Sequence, residues 1–411
     1  MNLVKKALLF CKKEGIKNTL CRSREKILEL AAQLPSQLKE RIFIRDYVRQ
    51  AERIAAGKDV YVMIPCIDWN IPIFQRPHQL ALALAKLPNS HVFFVSDEYK
   101  YDRFSGILSI NENLDLLSWR MVRYVGPALG SADKIVVLMS WPRRAGLLDF
   151  IPYNKFVYEY IDDLSLFYYY TEAMKATHYD LIRKADLTVC TARALYDDAR
   201  PFSKNLLLSP NACDYAFFHE NRDAPIDPQL QEAVRGYSCV LGYYGSLASW
   251  FDYDLVIEVA RQRRDWCFVI IGYCFDGTVS RLKDAALDNI ILYNAQPYRK
   301  LPAFASAFDI QIIPFVVNEI TKATSPVKLF EYMAMGRPIL TSAMPECFRY
   351  KSVTTYFDAE DFIRKACWLL SLQNDTAYFE VMSAEAMANT WDSRVNDILK
   401  VINGEENEKD S

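Results

Sequence analysis

The chain has 411 residues, of which 51% are hydrophobic and 24% charged, and its formal net charge is −2. These values are typical of a globular protein of two domains and exclude a disordered or fibrous chain. A net charge this close to zero supplies no global positive field, so we expect no nucleic-acid partner.

The cysteines and the apolar runs indicate the compartment. The ten cysteines stand singly between Cys11 and Cys367 without a C-x-x-C pair, which is typical of reduced thiols and predicts neither a disulfide framework nor a metal site. No apolar run reaches the roughly 18 residues of a membrane span, and the N-terminus has no signal-peptide pattern. We therefore expect a cytoplasmic protein.

Residues 1–55 form a first segment, which is rich in Lys and Arg and predicts two helices broken near Gly15 or Asn18. Apolar residues recur at helical spacing from Val4 to Cys11, with the lysines largely off that stripe. One interpretation is an amphipathic helix on an anionic membrane surface, so that residues 1–50 hold the protein peripherally at the inner face of the cell membrane. The alternative is a helix packed on its own catalytic domain. Both remain open.

Residues 56–218 predict a first α/β domain, since buried strands alternate with helical stretches. The helix QRPHQLALALAK has Pro77 near its first position, as helix starts prefer. The predicted strands are DVYVMI, HVFFVS, KIVVLMS, KFVYEYI and LTVCT.

Residues 219–236 predict a linker, and residues 237–388 predict a second α/β domain of the same kind. Residues 389–411 predict a helix that crosses back to the first domain, followed by a polar tail. Parallel sheets bind ligands at the carboxyl ends of their strands, so two such domains face to face form one cleft. The predicted elements of the second domain are SCVLGYYGS, DYDLVIEVARQR, WCFVIIG, NIILYNA, IQIIPF, SPVKLFEYMAM and PILTS.

The segment SPVKLFEYMAMGRP predicts a short helix with both ends specified. Ser325 suits the N-cap, Pro326 the first helical position and Gly336 the left-handed position after the helix. Its N-terminus favours a phosphate group. Lys328 adds positive charge against a diphosphate, and Glu331, three residues on along the same face, can accept hydrogen bonds from two ribose hydroxyls. A plain surface Lys–Glu pair has the same spacing.

This helix resembles the donor-site motif of the retaining GT-B glycosyltransferases that build bacterial polysaccharides and lipopolysaccharides, the glycosyltransferase group 1 or family 4-like enzymes. The resemblance covers residues 58–400. It implies two Rossmann-like domains facing across a cleft, with an N-terminal helical segment beside them. The other similar segments are GYYGS, WCFVIIG, LPAFASAFDIQIIPF, ADLTVCTARAL and SPNACDYAFF, and CIDWNIPIFQRPHQLA and VYEYIDD are similar to a capsular or teichuronic-acid-type subset.

The resemblance implies that Glu331 holds the donor ribose and that Lys328 faces the donor phosphates. It places Gly245 and Ser246 in a glycine loop whose backbone amides approach the diphosphate; the alternative is a plain strand-to-helix turn. Two positions depart from the family. Ala323 replaces a glutamate near the transferred sugar, and the segment GSLASWFD lacks the usual Arg and Lys, which leaves Lys328, helix N-termini and Lys322 to meet the phosphate charge.

The acceptor-side candidates lie in the first domain. Asp68, Trp69, Gln75, Arg76 and His78 cluster after the first strand, where His78 could bond the acceptor or the sugar; a structural histidine is the alternative. Asp162 and Asp163 end the strand VYEYI, where one carboxylate could bind acceptor hydroxyls, with helix capping as the alternative.

The predicted function is transfer of a sugar from a nucleoside-diphosphate sugar to a glycan or lipid-linked acceptor, with retention and without a metal or other cofactor, in bacterial surface polysaccharide synthesis. Lys328, Glu331, His78 and Asp162 are the candidate catalytic residues. Two alternatives remain: a non-catalytic GT-B-like scaffold of a polysaccharide assembly complex, and a sugar-nucleotide epimerase. A nicotinamide-dependent dehydrogenase is excluded because GYYGSL lacks the G-x-G-x-x-G spacing.

Overall fold

The computed structural model of the protein describes residues 36–98, 100–166, 170–372 and 375–405. The two helices predicted before residue 36 and the end of the polar tail lie outside these ranges. Within them, the chain folds into two mainly parallel sheets, one in each half, as the sequence predicts.

The first sheet has eight strands. They are β1 Asp59–Ile64, β2 Ser90–Ser96, β3 Ile107–Asn111, β4 Leu114–Ser118, β5 Lys134–Met139, β6 Lys155–Tyr160, β7 Leu187–Cys190 and β8 Leu206–Leu208. Their order is β3–β4–β2–β1–β5–β6–β7–β8, and every pair is parallel except the edge hairpin β3–β4. That hairpin has no signal in the sequence, because four of the five residues of β3 are exposed and leave no buried apolar run.

The second sheet has six parallel strands. They are β9 Cys239–Leu247, β10 Trp266–Cys274, β11 Ile290–Asn294, β12 Ile310–Ile313, β13 Ile339–Ser342 and β14 Val353–Tyr356. Their order is β11–β10–β9–β12–β13–β14, so the direction of winding reverses between β9 and β12. Ligands of open parallel sheets bind at such a reversal, outside the carboxyl ends of the strands.

Helices cover both faces of each sheet, and the strands between them are almost continuously apolar, as the two-sided burial of parallel strands requires. The α-helices of the described residues are α1 Ser36–Ala55, α2 Arg76–Ala85, α3 Val122–Val125, α4 Glu172–Lys184, α5 Arg193–Ala199, α6 Tyr215–Glu220, α7 Pro228–Ala233, α8 Tyr253–Gln262, α9 Ser280–Asp284, α10 Leu301–Ala305, α11 Glu319–Lys322, α12 Val327–Met335, α13 Ala359–Ser371, α14 Thr376–Ala388 and α15 Trp391–Asn403. None of them is both long and apolar enough to span a membrane.

Helix α1 packs against the first domain. Ala51 and Ala55 are fully buried in the same cluster as the strands β1 and β5. The ring of Tyr47 lies against Gly106, where a Cβ atom would come within 2.3 Å of it. The C-terminal part of segment 1–55 therefore belongs to the core of the first domain.

Helix α15 also joins the first domain, although the chain reaches it from the second. Trp391, Val395 and Ile398 are buried in a cluster with residues of α2 and β7. The Arg394 guanidinium donates hydrogen bonds to the backbone oxygens of Pro210 (2.8 Å) and Asn211 (3.2 Å). The two halves of the protein are therefore tied together at their C-terminal crossing.

Candidate donor site

Helix α12 carries the residues that the sequence analysis assigns to the donor. It ends at Gly336, whose φ of 64° is left-handed, as predicted. The prediction for its start is wrong by one residue: Pro326 is the N-cap, and Ser325 caps nothing. The Ser325 hydroxyl instead accepts a hydrogen bond from the Asn211 N–H at 3.1 Å, and its carbonyl accepts one from the Asn211 amide at 2.6 Å. Ser325 therefore fixes the helix start to the first domain.

The predicted glycine loop is the last part of a strand. Gly245 and Ser246 lie within β9 and pair with Gly272 and Tyr273 of β10, so the loop begins only after Leu247. Ser246 accepts a hydrogen bond from the Tyr243 hydroxyl through its carbonyl, at 2.7 Å. The sequence analysis places the boundary wrongly because Gly and Ser usually indicate a turn.

Lys328 lies directly over Gly245. A Cβ atom on Gly245 would come within 2.7 Å of the Lys328 Cε atom, and the φ of 147° at Gly245 also disfavours any other residue. The Lys328 Nζ atom lies 4.9 Å from the ring centre of Phe315, which follows β12, and 5.2 Å from that of Tyr243. The ammonium group thus lies at the reversal point between β9 and β12.

The electrostatics of Lys328 favour an anionic ligand. Burial in the cleft wall lowers the pKa of Lys328 to about 8, and the negative charge of Glu331 opposes this shift. An ammonium group surrounded by Tyr243 and Phe315 has lost much of its hydration, so an incoming phosphate replaces water at little further cost.

Glu331 follows one turn later on α12 and is 4% exposed. Burial raises its pKa to about 7, while the hydroxyls of Tyr244 and Tyr298 and the charge of Lys328 lower it. The Asp214 carboxylate raises it further. A carboxylate held in this way gains from hydroxyl donors, which the ribose of a nucleotide provides.

Ala323, one of the two departures from the family, and Lys322, a predicted partner of the phosphate charge, both occupy defined places. Ala323 is 7% exposed and packs in a buried cluster whose other members belong to the first domain, so this position serves the domain interface. Lys322 is about half exposed and its ammonium group lies 2.8 Å from the Glu319 carboxylate on α11. Lys322 is therefore already paired with an acid.

Two acceptor-side candidates hold a loop together. The buried Asp68 accepts hydrogen bonds from the backbone N–H groups of Lys100 and Tyr101, both at 2.7 Å. The Trp69 N–H donates to Asp102 at 2.5 Å, and the Trp69 ring packs on that of Phe94 at 5.0 Å. Asp68 and Trp69 therefore fix the connection after β1 to the connection after β2.

Three further candidates belong to the start of α2. The N–H of the exposed Gln75 donates to Nδ1 of His78 at 3.1 Å, and Nε2 of His78 donates to the Trp69 carbonyl at 3.0 Å. Burial lowers the pKa of His78 to about 4, so the ring is neutral. Both ring nitrogens are occupied, which corrects the predicted contact of His78 with a substrate: it holds the helix start.

Arg76 is also structural. It is 2% exposed, pairs with the buried Glu159 at 3.0 Å, and donates to the carbonyls of Ser209 (3.1 Å) and Pro210 (3.2 Å). The predicted placement of Arg76 facing an acceptor is therefore wrong, because its guanidinium is turned into the protein.

The two carboxylates after β6 have separate roles. Asp163 accepts hydrogen bonds from the N–H (2.9 Å) and the hydroxyl (2.6 Å) of Ser165, which is a local turn. Desolvation by the surrounding protein and the charge of Asp163 raise the pKa of Asp162 to about 6. Asp162 also adds to the raised pKa of the neighbouring Cys66 thiol, at about 12. Asp162 thus stays a predicted acceptor residue.

The sequence analysis misses Tyr244 and Tyr298 beside Glu331, and Gln79, whose amide donates to the Tyr298 hydroxyl at 3.0 Å. Tyr244 stands one residue before the recognised glycine and could have been found there. Tyr298 lies in a short 3-10 turn, Tyr298–Lys300, where no motif marks it.

Comparison with protein families matches part of the second domain. Residues 238–372, which include β9 and α12, match the family described as Glycosyl transferases group 1. A curated relative, the putative teichuronic acid biosynthesis glycosyltransferase TuaH of Bacillus subtilis, is 26% identical over 242 residues. That alignment covers 56% of this chain and 59% of the relative, so the chain matches less than two thirds of its length.

Solved structures of the same architecture cover most of the chain. The sucrose-phosphate synthase of Thermosynechococcus elongatus superposes with a TM-score of 0.62 at 11% identity, over 84% of this chain and 98% of that one. Anabaena HepE in complex with UDP and glucose superposes with a TM-score of 0.59 at 11% identity, over 85% and 100%. These similarities confirm the predicted fold class, the two-domain GT-B architecture.

Proposed function

We propose that this protein transfers a sugar from a nucleoside-diphosphate sugar to a glycan or lipid-linked acceptor, with retention, during synthesis of a bacterial surface polysaccharide. One observation carries the proposal: the Lys328 ammonium lies over Gly245 at the reversal point of the second sheet, with Glu331 one helical turn away. This arrangement offers a cation to a diphosphate and a carboxylate to a ribose. The family match over the same residues supports it.

In the proposed reaction, Lys328 and the N-terminus of α12 stabilise the diphosphate as negative charge develops on it, which is the electrostatic part of catalysis. The acceptor approaches from the first domain, where Asp162 accepts a hydrogen bond from an acceptor hydroxyl next to the reacting one. The leaving phosphate takes the proton of that hydroxyl on the same face of the sugar. Closure of the two domains excludes water, which otherwise hydrolyses the donor. The proposal uses no metal or other cofactor.

The test is a thermal-shift measurement of the purified protein with UDP, GDP, CDP and dTDP and their sugars, with UDP first because HepE was solved with it. A ligand that binds only the folded state stabilises it by about 2.7 kcal/mol at a hundredfold excess over its Kd. We expect a shift for one nucleotide that Lys328→Met and Glu331→Gln both reduce. Lys351→Met is the matched control, since Lys351 is exposed just before β14, at the amino ends of the strands.

Shifts as large in both variants as in the wild type would contradict the donor site. No shift with any nucleotide would favour the scaffold, a reading that Ala323 and the absence of basic residues in GSLASWFD also support. Transfer or hydrolysis of the donor by the purified protein excludes the scaffold. An altered nucleotide sugar formed without any acceptor indicates the epimerase.

We further propose that the protein works in the cytoplasm, at the inner face of the membrane, with residues 1–50 in contact with the lipid surface. The lysines of the first segment and a lipid-linked acceptor motivate this placement.

A further inference from the structure

The segment from Asp68 to Gln79 makes several contacts that have no role in the proposed reaction. Asp68, Arg76 and His78 are bonded inside the first domain and make the start of α2 rigid. Two other side chains of the segment, Phe74 and Gln79, contact the second domain. Both meet the same residue, Tyr298.

Tyr298 stands between the two domains. The Gln79 amide, 6% exposed, donates to the Tyr298 hydroxyl oxygen at 3.0 Å, and the Phe74 ring lies 5.4 Å from the tyrosine ring. Phe217 stacks on the tyrosine ring at 5.6 Å and Phe218 meets its edge at 5.5 Å. The ring is thereby held on three sides, and its hydroxyl oxygen accepts the bond from Gln79.

The same hydroxyl lies beside Glu331, whose pKa it lowers. Because the Gln79 amide donates to its oxygen, the Tyr298 hydroxyl keeps its own hydrogen for the carboxylate. Through the hydrogen bond from Gln79, Tyr298 therefore links α2 of the first domain to the surroundings of Glu331, the predicted ribose-binding residue of the second.

We propose that Tyr298 is a positioning residue that orients Glu331 for the donor, and that it does so when α2 of the first domain is docked on it. This inference rests on the proposed function, since it assigns Glu331 to the donor. It gives the first-domain segment a role: a rigid support that presents Phe74 and Gln79 to Tyr298.

The first test is Tyr298→Phe, which keeps the ring and removes the hydroxyl. Removal of a hydrogen bond to a charged group should lower the affinity for the donor nucleotide by about tenfold or more. The acid limb of the binding profile should also move to higher pH, because a group that lowers the Glu331 pKa is gone. The ionisable groups that face Glu331 and set this limb are Lys328, Tyr332, Tyr244, Tyr298, Cys213 and Asp214.

The second test is a double-mutant cycle with Gln79→Leu. We expect Gln79→Leu to weaken nucleotide binding part of the way, and the double variant to be no weaker than Tyr298→Phe alone. Tyr293→Phe is the control, because Tyr293 lies on β11, with its ring packed on Phe304, and should bind like the wild type. The melting temperature without ligand reports whether each variant is folded.

The outcomes separate the two proposals. A wild-type protein that binds no nucleotide or nucleotide sugar overturns both. A wild-type protein that binds one, while Tyr298→Phe keeps its affinity and its acid limb, overturns only the role of Tyr298. Additive losses in the cycle overturn the coupling to the first domain.

Discussion

At the scale of single residues, the proposed donor site contains two groups of opposite charge, Lys328 and Glu331. The protein disfavours the charged form of each. Burial lowers the pKa of Lys328 to about 8 and raises that of Glu331 to about 7. Both shifts mean that the protein favours the charged forms of these groups less than water does. A ligand that brings phosphates to one and hydroxyls to the other restores the charged forms.

This balance predicts a narrow pH range for nucleotide binding. Affinity should rise with pH through about 7, as Glu331 loses its proton, and fall above about 8, as Lys328 loses its own. The two groups interact, so these limbs belong to the pair. Glu331→Gln should remove the acid limb, and Lys328→Met the alkaline limb, in calorimetric titrations that extend to both sides of the two pKa values.

The same titrations also report whether binding releases or takes up a proton. Below the acid limb, binding should release a proton from Glu331, and above the alkaline limb it should take one up at Lys328. Binding enthalpies measured in buffers of different ionisation enthalpy report this exchange. An affinity that stays level across the range would contradict the assignment of both residues.

At the scale of secondary-structure elements, α2 and β6 depend on the buried pair of Arg76 and Glu159. The Arg76 guanidinium also donates hydrogen bonds to the carbonyls of Ser209 and Pro210, so the pair joins elements that are far apart in sequence. The charge of either residue, left alone in the core, is costly.

Arg76→Met should therefore destabilise the first domain by about 3–5 kcal/mol, the usual cost of leaving a buried charge without its partner. Urea unfolding measured by circular dichroism should show a lower midpoint. Arg200→Met, which removes an exposed arginine of the same domain, should leave the midpoint unchanged. Equal midpoints for the two variants would show that the buried pair contributes nothing.

The sequence predicts the elements whose signal is local. Gly336 ends α12 as expected, and the buried strands from DVYVMI to PILTS appear close to their predicted positions. Long-range contacts are what it cannot predict. Serine is a residue type that N-caps favour. The hydroxyl of Ser325, however, accepts a hydrogen bond from the N–H of Asn211, which is 114 residues away. The sequence suggests that His78 contacts a substrate. In the structure its two ring nitrogens bond to the backbone of Gln75 and Trp69.

At the scale of the whole molecule, both ends of the described chain pack on the first domain. Helix α1 contributes Ala51 and Ala55 to its core, and α15 contributes Trp391. The second domain is bound between them through Asn211 to Ser325 and through the N–H of Arg193 to Glu346 at 2.7 Å. A deletion at either end of the described chain therefore affects the first domain directly and the donor site only through that domain.

This arrangement decides how the proposed membrane contact is to be tested. Removal of residues 1–50 would also delete Tyr47, whose ring lies against Gly106, and would destabilise the first domain whatever the segment does at a membrane. Removal of residues 1–35 leaves α1 whole. We expect that shorter deletion to keep the melting temperature and the nucleotide shift of the full chain, and to lower the fraction that pellets with vesicles of anionic lipid. Neutral vesicles are the control, since the attraction is to the lysines of the segment. Equal pelleting of the two proteins on anionic vesicles would show that the contact lies elsewhere or does not exist.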